Sequence, residues 1–597
     1  MGARLDWRQP SCCFSGTADA KNRLSPPDSP PLFRPSGTLN PYTLVPLSSA
    51  QVASPARPAV HSFSHLNPHT RFRPHLFAAG FDRSARVASP LFRRKNIDQL
   101  ISDCEGAEFR LKKSLGWLSL TSLGIGAVIG SGIFTIVGTA IAGQKFQTSS
   151  ILNAPLLEYL VHHSASFGRP GAGPAIALSF VLVAIACGFA SVCYAELAAM
   201  IPIAGSAYTY TYATMGELIA WIIGWDLILE YAVSNMAVSV GFSAHMVDLL
   251  DWFGVHPDPK WISPAYLPSG LSDLAGNMLY GPGWHFGFNW PAFIIVMLLT
   301  VILVRGIRES AETNNIMVLI KIIAIIAFIT FASRFIHTSN WHPFAPNRWP
   351  GILTGGSIVF FTYIGFDSVS TAAEECTNPQ RDLPRGIIAT LVICTLLYIG
   401  VVIVLTGLVR WDTLVDDAAP VVNTLKKLHI SGLRLVVLIG ALMGMISSLL
   451  VFQIGQARVW FAMSRDGLFP KIFSHVHHRY LTPDFSTWVA GLVVGIPAGL
   501  LDIGTLGDLA NIGTLFAFAL VAAGVLILRY REPNRHRAFR APGGPIAPVL
   551  TILTCVLLMA GLPIMNWIRF FVWLAIGLVI YFSYSRKRST LRLEAAN

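Results

Sequence analysis

The sequence predicts an all-α integral membrane protein: 12 transmembrane helices, of which the first ten form a 5+5 pair of inverted repeats with helices 1 and 6 broken. Three observations predict it. Of 597 residues, 53% are hydrophobic and only 13% charged, against about 25% charged in soluble domains, and the mean hydropathy is +0.55. Twelve apolar segments have lengths close to the roughly 20 residues that span about 30 Å of hydrocarbon. Two of them, the first and the sixth, are interrupted by glycine at points where a packed helix needs none.

In chain order, residues 1–95 read as a disordered tail: stretches such as SPPDSPPLFRPSG and HSFSHLNPHTRFRPH are rich in Pro, Ser, Arg and His and poor in acids. Its histidines His61, His65, His69 and His75 belong to this biased composition. A core over 96–540 follows, with segments 1–5 in about 113–337 and segments 6–10 in about 352–530, and 541–597 holds the last two spans and a short end. The apolar segments are 117–143, 173–200, 217–249, 290–305, 313–336, 352–375, 385–409, 433–461, 484–502, 506–529, 545–563 and 565–584. The fourth is short, and Pro563 reads either as a kink or as a loop between the last two.

Charge sets the orientation. KNIDQL, FRLKK, RGIR, PQRDLPR, SRDGLFPKIFSHVHHRY, RYREPNRHRAFR and SRKRSTLR fall on one side of the alternating spans. Lys145, Arg169, Lys260, Arg348, Lys426 and Lys427 fall on the other. The positive-inside bias puts both termini in the cytoplasm and the longer loops 144–172 and 250–289 outside, in a plasma (inner) membrane. It also accounts for the net charge of +12 without nucleic acid. The eight cysteines show no C-x-x-C pair or zinc-like spacing, so neither a disulfide framework nor a metal site is expected.

The first segment contains GIGAVIGSGIF, residues 124–134. Gly126 and Gly130 could serve close helix packing. Alternatively, Gly130-Ser131-Gly132 is an unwound joint whose N–H groups meet an anion. The sixth segment, GSIVFFTYIGFDSVSTAAEE, has Gly365 between Ile364 and Phe366, followed by the intramembrane Asp367. Paired breaks five segments apart suit repeats of opposite topology, since an odd number of spans forces inversion. Freed N–H groups at one half-helix and freed carbonyls at the other match the two charges of a zwitterionic amino acid.

These residues resemble the amino acid-polyamine-organocation superfamily, and within it the cationic amino acid transporter branch. The resemblance runs from about Leu111 to Arg540 through GIGAVIGSGIF, IPIAGSAYTYTYATMGELIAWIIGWDLILEY, GIRESAETNNIMVLIK, FFTYIGFDSVSTAAEECTNPQRDLPRGI and AMSRDGLFP. It implies an amino-acid permease in which the substrate carboxylate lies on the N–H groups of Ser131 and Gly132, with Gly130 shaping the turn. It implies an amine met by the carbonyls of Val128, Phe361 and Ile364. It implies that Lys321 in segment 5 sits where sodium sits in sodium-driven relatives, as a cation that changes protonation during the cycle. The other readings of Lys321 are a fixed ion pair and a snorkelling side chain. Cationic substrates follow from the branch alone, and a broad neutral amino-acid and proton symporter is the alternative.

Glu230, deep in segment 3, is similarly placed to a family position near the pocket, where it would neutralise Lys321, attract a cationic side chain, or hold structure. Asp367 would cap the second half-helix or carry the proton. Asp226 lies nearer the start of its segment. Phe366, Ser448 and Phe452 are candidate pocket linings, with helix packing as the alternative. The expected partners are an amino acid, protons and the lipid bilayer. No cofactor is expected, since the nucleotide motif G-x-x-x-x-G-K-[ST] is missing. A membrane enzyme would need converging His, Asp or Cys on the spans, and clustered histidines fall outside the spans, in the tail and in loops such as HVHHRY. A channel would need a ring of carbonyls or charges.

Overall fold

The computed structural model describes residues 90–98 and 115–594, apart from 204, 268–270, 273–277, 281–282, 306–309, 416, 481 and 502. Most of the expected tail, 1–89, lies outside the described residues. Residues 90–95 are described: Pro90–Phe92 is a turn of 3-10 helix, and the Lys95 ammonium donates to Asp466 at 2.5 Å.

The described residues are predominantly helical. The first broken segment contributes α1 (Trp117–Val128) and α2 (Val137–Ala142), separated by a π turn over Gly132–Ile136. There follow α3 (Ile176–Met200), α4 (Ser206–Thr214), α5 (Glu217–Trp252), α6 (Trp290–Arg305), α7 (Ser310–Ala332) and α8 (Arg348–Val359). After 3-10 turns over Phe360–Tyr363 and Phe366–Glu375 come α9 (Pro379–Leu408), α10 (Ser431–Arg465), α11 (Asp484–Leu500), α12 (Ile503–Arg531), α13 (Ile546–Ala560) and α14 (Ile564–Ile580). Among the described residues nine helical stretches are long and apolar enough to cross a membrane, and α6, α11 and α13 are shorter apolar helices. Pro563 precedes α14 as its N-cap residue, so the chain turns there and does not kink.

Burial separates centre from rim. All of the most apolar window in Arg348–Glu375 and 94% of that in Trp117–Ala142 are inside the protein, against 22% for Ile564–Arg588. The two interrupted segments are therefore the innermost. Around them α5 packs along α10 and α12, α9 along α3 and α1, and α7 along α10. The rim exposes Ile185, Leu298, Ile323, Leu396, Ile439 and Val579, large apolar side chains of the kind that lipid or another apolar partner covers.

The loop 144–172 holds a two-stranded antiparallel sheet, β1 (Gly143–Ser150) with β2 (Ser166–Pro170). It is tied down by Arg169, whose guanidinium bonds both carboxylate oxygens of Asp508 in α12 at 2.8 and 2.7 Å. The side chains are 1% and 11% exposed, so this is a desolvated, bidentate pair.

Candidate functional site

The first break is narrower than the Gly130-Ser131-Gly132 triplet. Helix α1 ends at Val128, Ile129 leaves helical geometry (φ −82°, ψ 89°), and Ser131 has returned to it (φ −63°, ψ −23°). The chain restarts through the π turn, a form that concentrates at functional sites. In the second break Ile364 is extended (φ −59°, ψ 133°) and Gly365 is left-handed (φ 115°), where a side chain would be strained. The breaks touch. A Cβ on Gly132 would lie 2.7 Å from the Thr362 Cα, and one on Gly365 would lie 2.8 Å from the Ala127 Cβ.

A helix that ends inside a membrane protein leaves carbonyls that water cannot reach. At the end of α1 they are met by side chains from three other helices. Lys321 of α7 donates to Gly126 and Ile129, each at 2.9 Å. Ser448 of α10 lies 2.9 Å from the Gly126 and Ala127 carbonyls. The Tyr398 hydroxyl of α9 lies 2.9 Å from the Val128 carbonyl of the first break and 2.9 Å from the Thr362 carbonyl of the second. It has one proton for the two.

The carbonyls leading into the second break are met in the same way. Asn511 of α12 donates to Ser357 at 2.8 Å and Ile358 at 3.3 Å, and the Thr362 hydroxyl donates to Val359 at 2.7 Å.

The structure thus gathers Val128, Gly130, Ser131, Gly132, Phe361, Ile364 and Lys321 around one joint. Ser131 is fully buried, and its hydroxyl has no hydrogen-bond partner among the described residues. Two expectations change. The Val128 carbonyl is already engaged, by Tyr398 and by the Gly130 N–H at 3.1 Å, and that of Phe361 receives the Ile364 N–H at 3.3 Å. Ser448, a candidate pocket lining, has its hydroxyl on the carbonyls that close α1.

The carboxylates form a second group. Glu230 and Asp226 stand one turn apart on α5, both buried, with no hydrogen-bond partner for any of their carboxylate oxygens among the described residues. Thr514 is near Glu230, but its hydroxyl donates to Ala510 at 3.0 Å. The neighbouring charges on Glu230 are those of Asp367 and Asp226. Among the described residues no ion pair joins Glu230 to Lys321, so the neutralising role read from the sequence is not formed.

One oxygen of Asp367 accepts from the Tyr231 hydroxyl of α5 at 3.2 Å, and the other has no side-chain partner among the described residues. Gly365 holds the N-cap position of this turn and Asp367 stands in its first turn, with the backbone N–H groups of Gly365, Asp367 and Ser368 beside its carboxylate. Phe366 packs against Tyr194 and Phe518, at centroid distances of 6.0 and 5.0 Å. Phe452 stacks at a tilt on Tyr231 at 6.1 Å and stands 3.2 Å from the Gly365 Cβ position.

Sequence reasoning missed Tyr398 and Asn511. Each carried a signal: a phenol hydroxyl in LLYIGVVIV and a lone amide in DLANIGTLF, polar groups that at membrane depth need a partner.

A family model described as amino acid permease matches residues 115–584. The chain is 43% identical over 501 residues to the branched-chain amino acid permease BcaP of Bacillus subtilis, covering 84% of this chain and 99% of that one. It is 39% identical over 503 residues to the methylthioribose transporter of the same organism, again over 84% and 99%. It is 34% identical over 423 residues to cationic amino acid transporter 9, chloroplastic, of Arabidopsis thaliana, over 71% of this chain and 67% of that one.

Proposed function

The chain belongs to the amino acid permease family and is an amino-acid permease, and from that premise we propose a secondary active carrier, driven by protons or by exchange, that binds its substrate at the joined breaks. The observation that carries this reading is the contact between the two interrupted segments at Gly132–Thr362 and Gly365–Ala127. A small zwitterion fits the chemistry of such a joint. The N–H groups of Ser131 and Gly132 open the half-helix that continues into α2 and suit a carboxylate. The amine takes the carbonyls of Val128, Phe361 and Ile364. For Val128 this requires the Tyr398 proton to turn wholly to Thr362, and the equal 2.9 Å distances make that turn possible without moving the ring. Lys321 is then the built-in cation under the first break, and it or Asp367 moves the proton.

Twelve spans with two inverted five-helix repeats remain our reading of the topology, with both termini cytoplasmic in a plasma (inner) membrane. Its support is a correspondence of caps. The fifth apolar segment holds the first break through Lys321, and the tenth holds the sixth through Asn511. The eighth reaches the first break through Ser448, and the third reaches the sixth through Tyr231 and Asp367.

The side chain carried has two readings. The buried, unpartnered Glu230 beside Asp367 favours a cationic amino acid. The 43% identity to a protein named for branched-chain amino acids favours a neutral one. Uptake by the purified chain in proteoliposomes, across an amino-acid panel at two pH values with and without internal substrate, tests all of this. Counterflow identifies a carrier, the panel the substrate, and the pH dependence the coupling. Failure of every amino acid to enter or to exchange would overturn the proposal.

A further inference from the structure

At one end of the bundle, where α5 begins and α10 and α12 end, the segment 90–98 lies against the body. The Glu217 N–H donates to the Arg93 carbonyl at 3.0 Å, Lys95 reaches Asp466, and Ile97 is buried. Between this segment and the chain after α12 runs a cleft of about 740 Å³, lined among others by Arg93, Arg94, Lys95 and Arg535. That volume lies in the range of small-molecule sites.

The acids in the cleft are already used. Asp98 and Glu532 both pair with Arg535, at 2.6 and 3.1 Å, and Lys95 is held by Asp466 outside the lining. Among the described residues Arg93 and Arg94 have no ion pair or side-chain hydrogen bond. Burial first, and then the like charge of Arg531 beside it, hold Arg94 below the ordinary arginine range. Both arginines line the cleft, the acid beside Arg94 is Glu532, itself already paired with Arg535, and guanidiniums in such a cleft suit phosphate oxygens. The lining is also partly apolar, through Leu591 and the 45% exposed Phe92. Inorganic phosphate has no use for these groups, whereas the glycerol and upper acyl region of a lipid would cover them.

We propose that this cleft binds the headgroup of an anionic phospholipid, with Arg93 and Arg94 on its phosphate and Phe92 and Leu591 against its glycerol end. The site is separate from the joined breaks, and its test does not depend on what the protein transports. The full chain, delipidated in detergent, is titrated with phosphatidylglycerol, phosphatidylcholine, glycerol 3-phosphate and inorganic phosphate, with bound lipid and thermal unfolding as readouts.

Phosphatidylglycerol should bind and stabilise. Its half-saturation should rise about fivefold in Arg94→Gln and roughly 25-fold in Arg93→Gln/Arg94→Gln. The Arg93→Lys/Arg94→Lys variant should retain most of the binding, and Lys587→Gln, an exposed cation away from the cleft, should bind as the unaltered protein does. The proposal is overturned if phosphatidylcholine binds equally, if the glutamine variants bind normally, or if Lys587→Gln loses as much. It is also overturned if the soluble phosphates reproduce the whole effect, or if phosphatidylglycerol adds nothing because the acidic stretch Asp103–Glu108 satisfies the arginines. Unfolding in phosphatidylcholine shows whether the double variant is folded, and the lysine pair keeps the test open if it is not.

Discussion

The Lys321 ammonium donates to the Ile129 carbonyl at 2.9 Å, placing a fully buried cation on the residue at which the first spanning helix leaves helical geometry. Lys321→Met would remove the donor for both Gly126 and Ile129. The expected outcome is protein that still inserts but is destabilised by about 1–3 kcal/mol for each carbonyl left bare, with uptake no longer responsive to an imposed pH gradient. Uptake against external pH in proteoliposomes checks it, and an unchanged pH profile would refute a coupling role.

Tyr398→Phe tests the shared hydroxyl. Bonds of this kind in membrane proteins contribute about 0.6–1.7 kcal/mol, so stability should fall by that order. If the amine has to displace the tyrosine from Val128, KM should fall by about three- to twentyfold, the equivalent of the same energy, while kcat falls with the loss of the tie to Thr362. An increased KM in a folded variant would remove Val128 from the amine site.

Substitutions at the two glycines of the first break should differ in severity. A methyl at Gly132 meets the backbone Cα of Thr362 at 2.7 Å, which cannot yield without moving the second break. At Gly130 it meets the Ser448 hydroxyl at 2.5 Å, a side chain that can turn at the expense of its cap. Gly132→Val should abolish uptake with protein still in the membrane, and Gly130→Ala should leave a measurable fraction. Normal transport by Gly132→Val would sink the carboxylate site.

Glu230→Gln separates the two substrate readings. If Glu230 faces a cationic side chain, arginine uptake should fall at least about tenfold relative to leucine, the loss of one interaction of about 1.4 kcal/mol. An equal effect on both amino acids would assign the residue to structure.

Arg169→Gln should destabilise the body by about 3–5 kcal/mol, because it leaves the Asp508 carboxylate desolvated without its partner. Adding Asp508→Asn should recover much of that loss. Thermal unfolding of the single and double variants makes the comparison, and full stability of Arg169→Gln would show that the pair contributes nothing.

The breaks were legible in the sequence because glycine in a span announces itself: Gly130 and Gly365 both lie where the helices open, and Lys321 does reach the first joint. Boundaries were less legible. Ile129, with an ordinary apolar side chain, carries the change of direction, and Ser131, expected in the joint, is already helical. The caps were not legible. Tyr398, Ser448 and Asn511 act on carbonyls far away in sequence, and tertiary contact, not local pattern, brings them there. Of the roles open to Glu230, neutralising Lys321 is not formed for the same reason: Lys321 satisfies its charge on carbonyls, an option that pairing of opposite charges in a sequence does not reveal. The loop 144–172, read from the sequence only as one of the longer outer loops, contains strands because such a stretch can pair its backbone without an apolar pattern.

The way α1 is finished has an evolutionary corollary. Lys321, Ser448 and Tyr398 grip main-chain oxygens, which every residue offers alike. Ala127, Val128 and Ile129 are thus free to drift among side chains of similar bulk, while the obligation to stay constant is transferred to three positions on other helices. A saturation-mutagenesis map of this protein should be lopsided: tolerant of such changes at Ala127, Val128 and Ile129, and intolerant at the distant residues that hold their carbonyls.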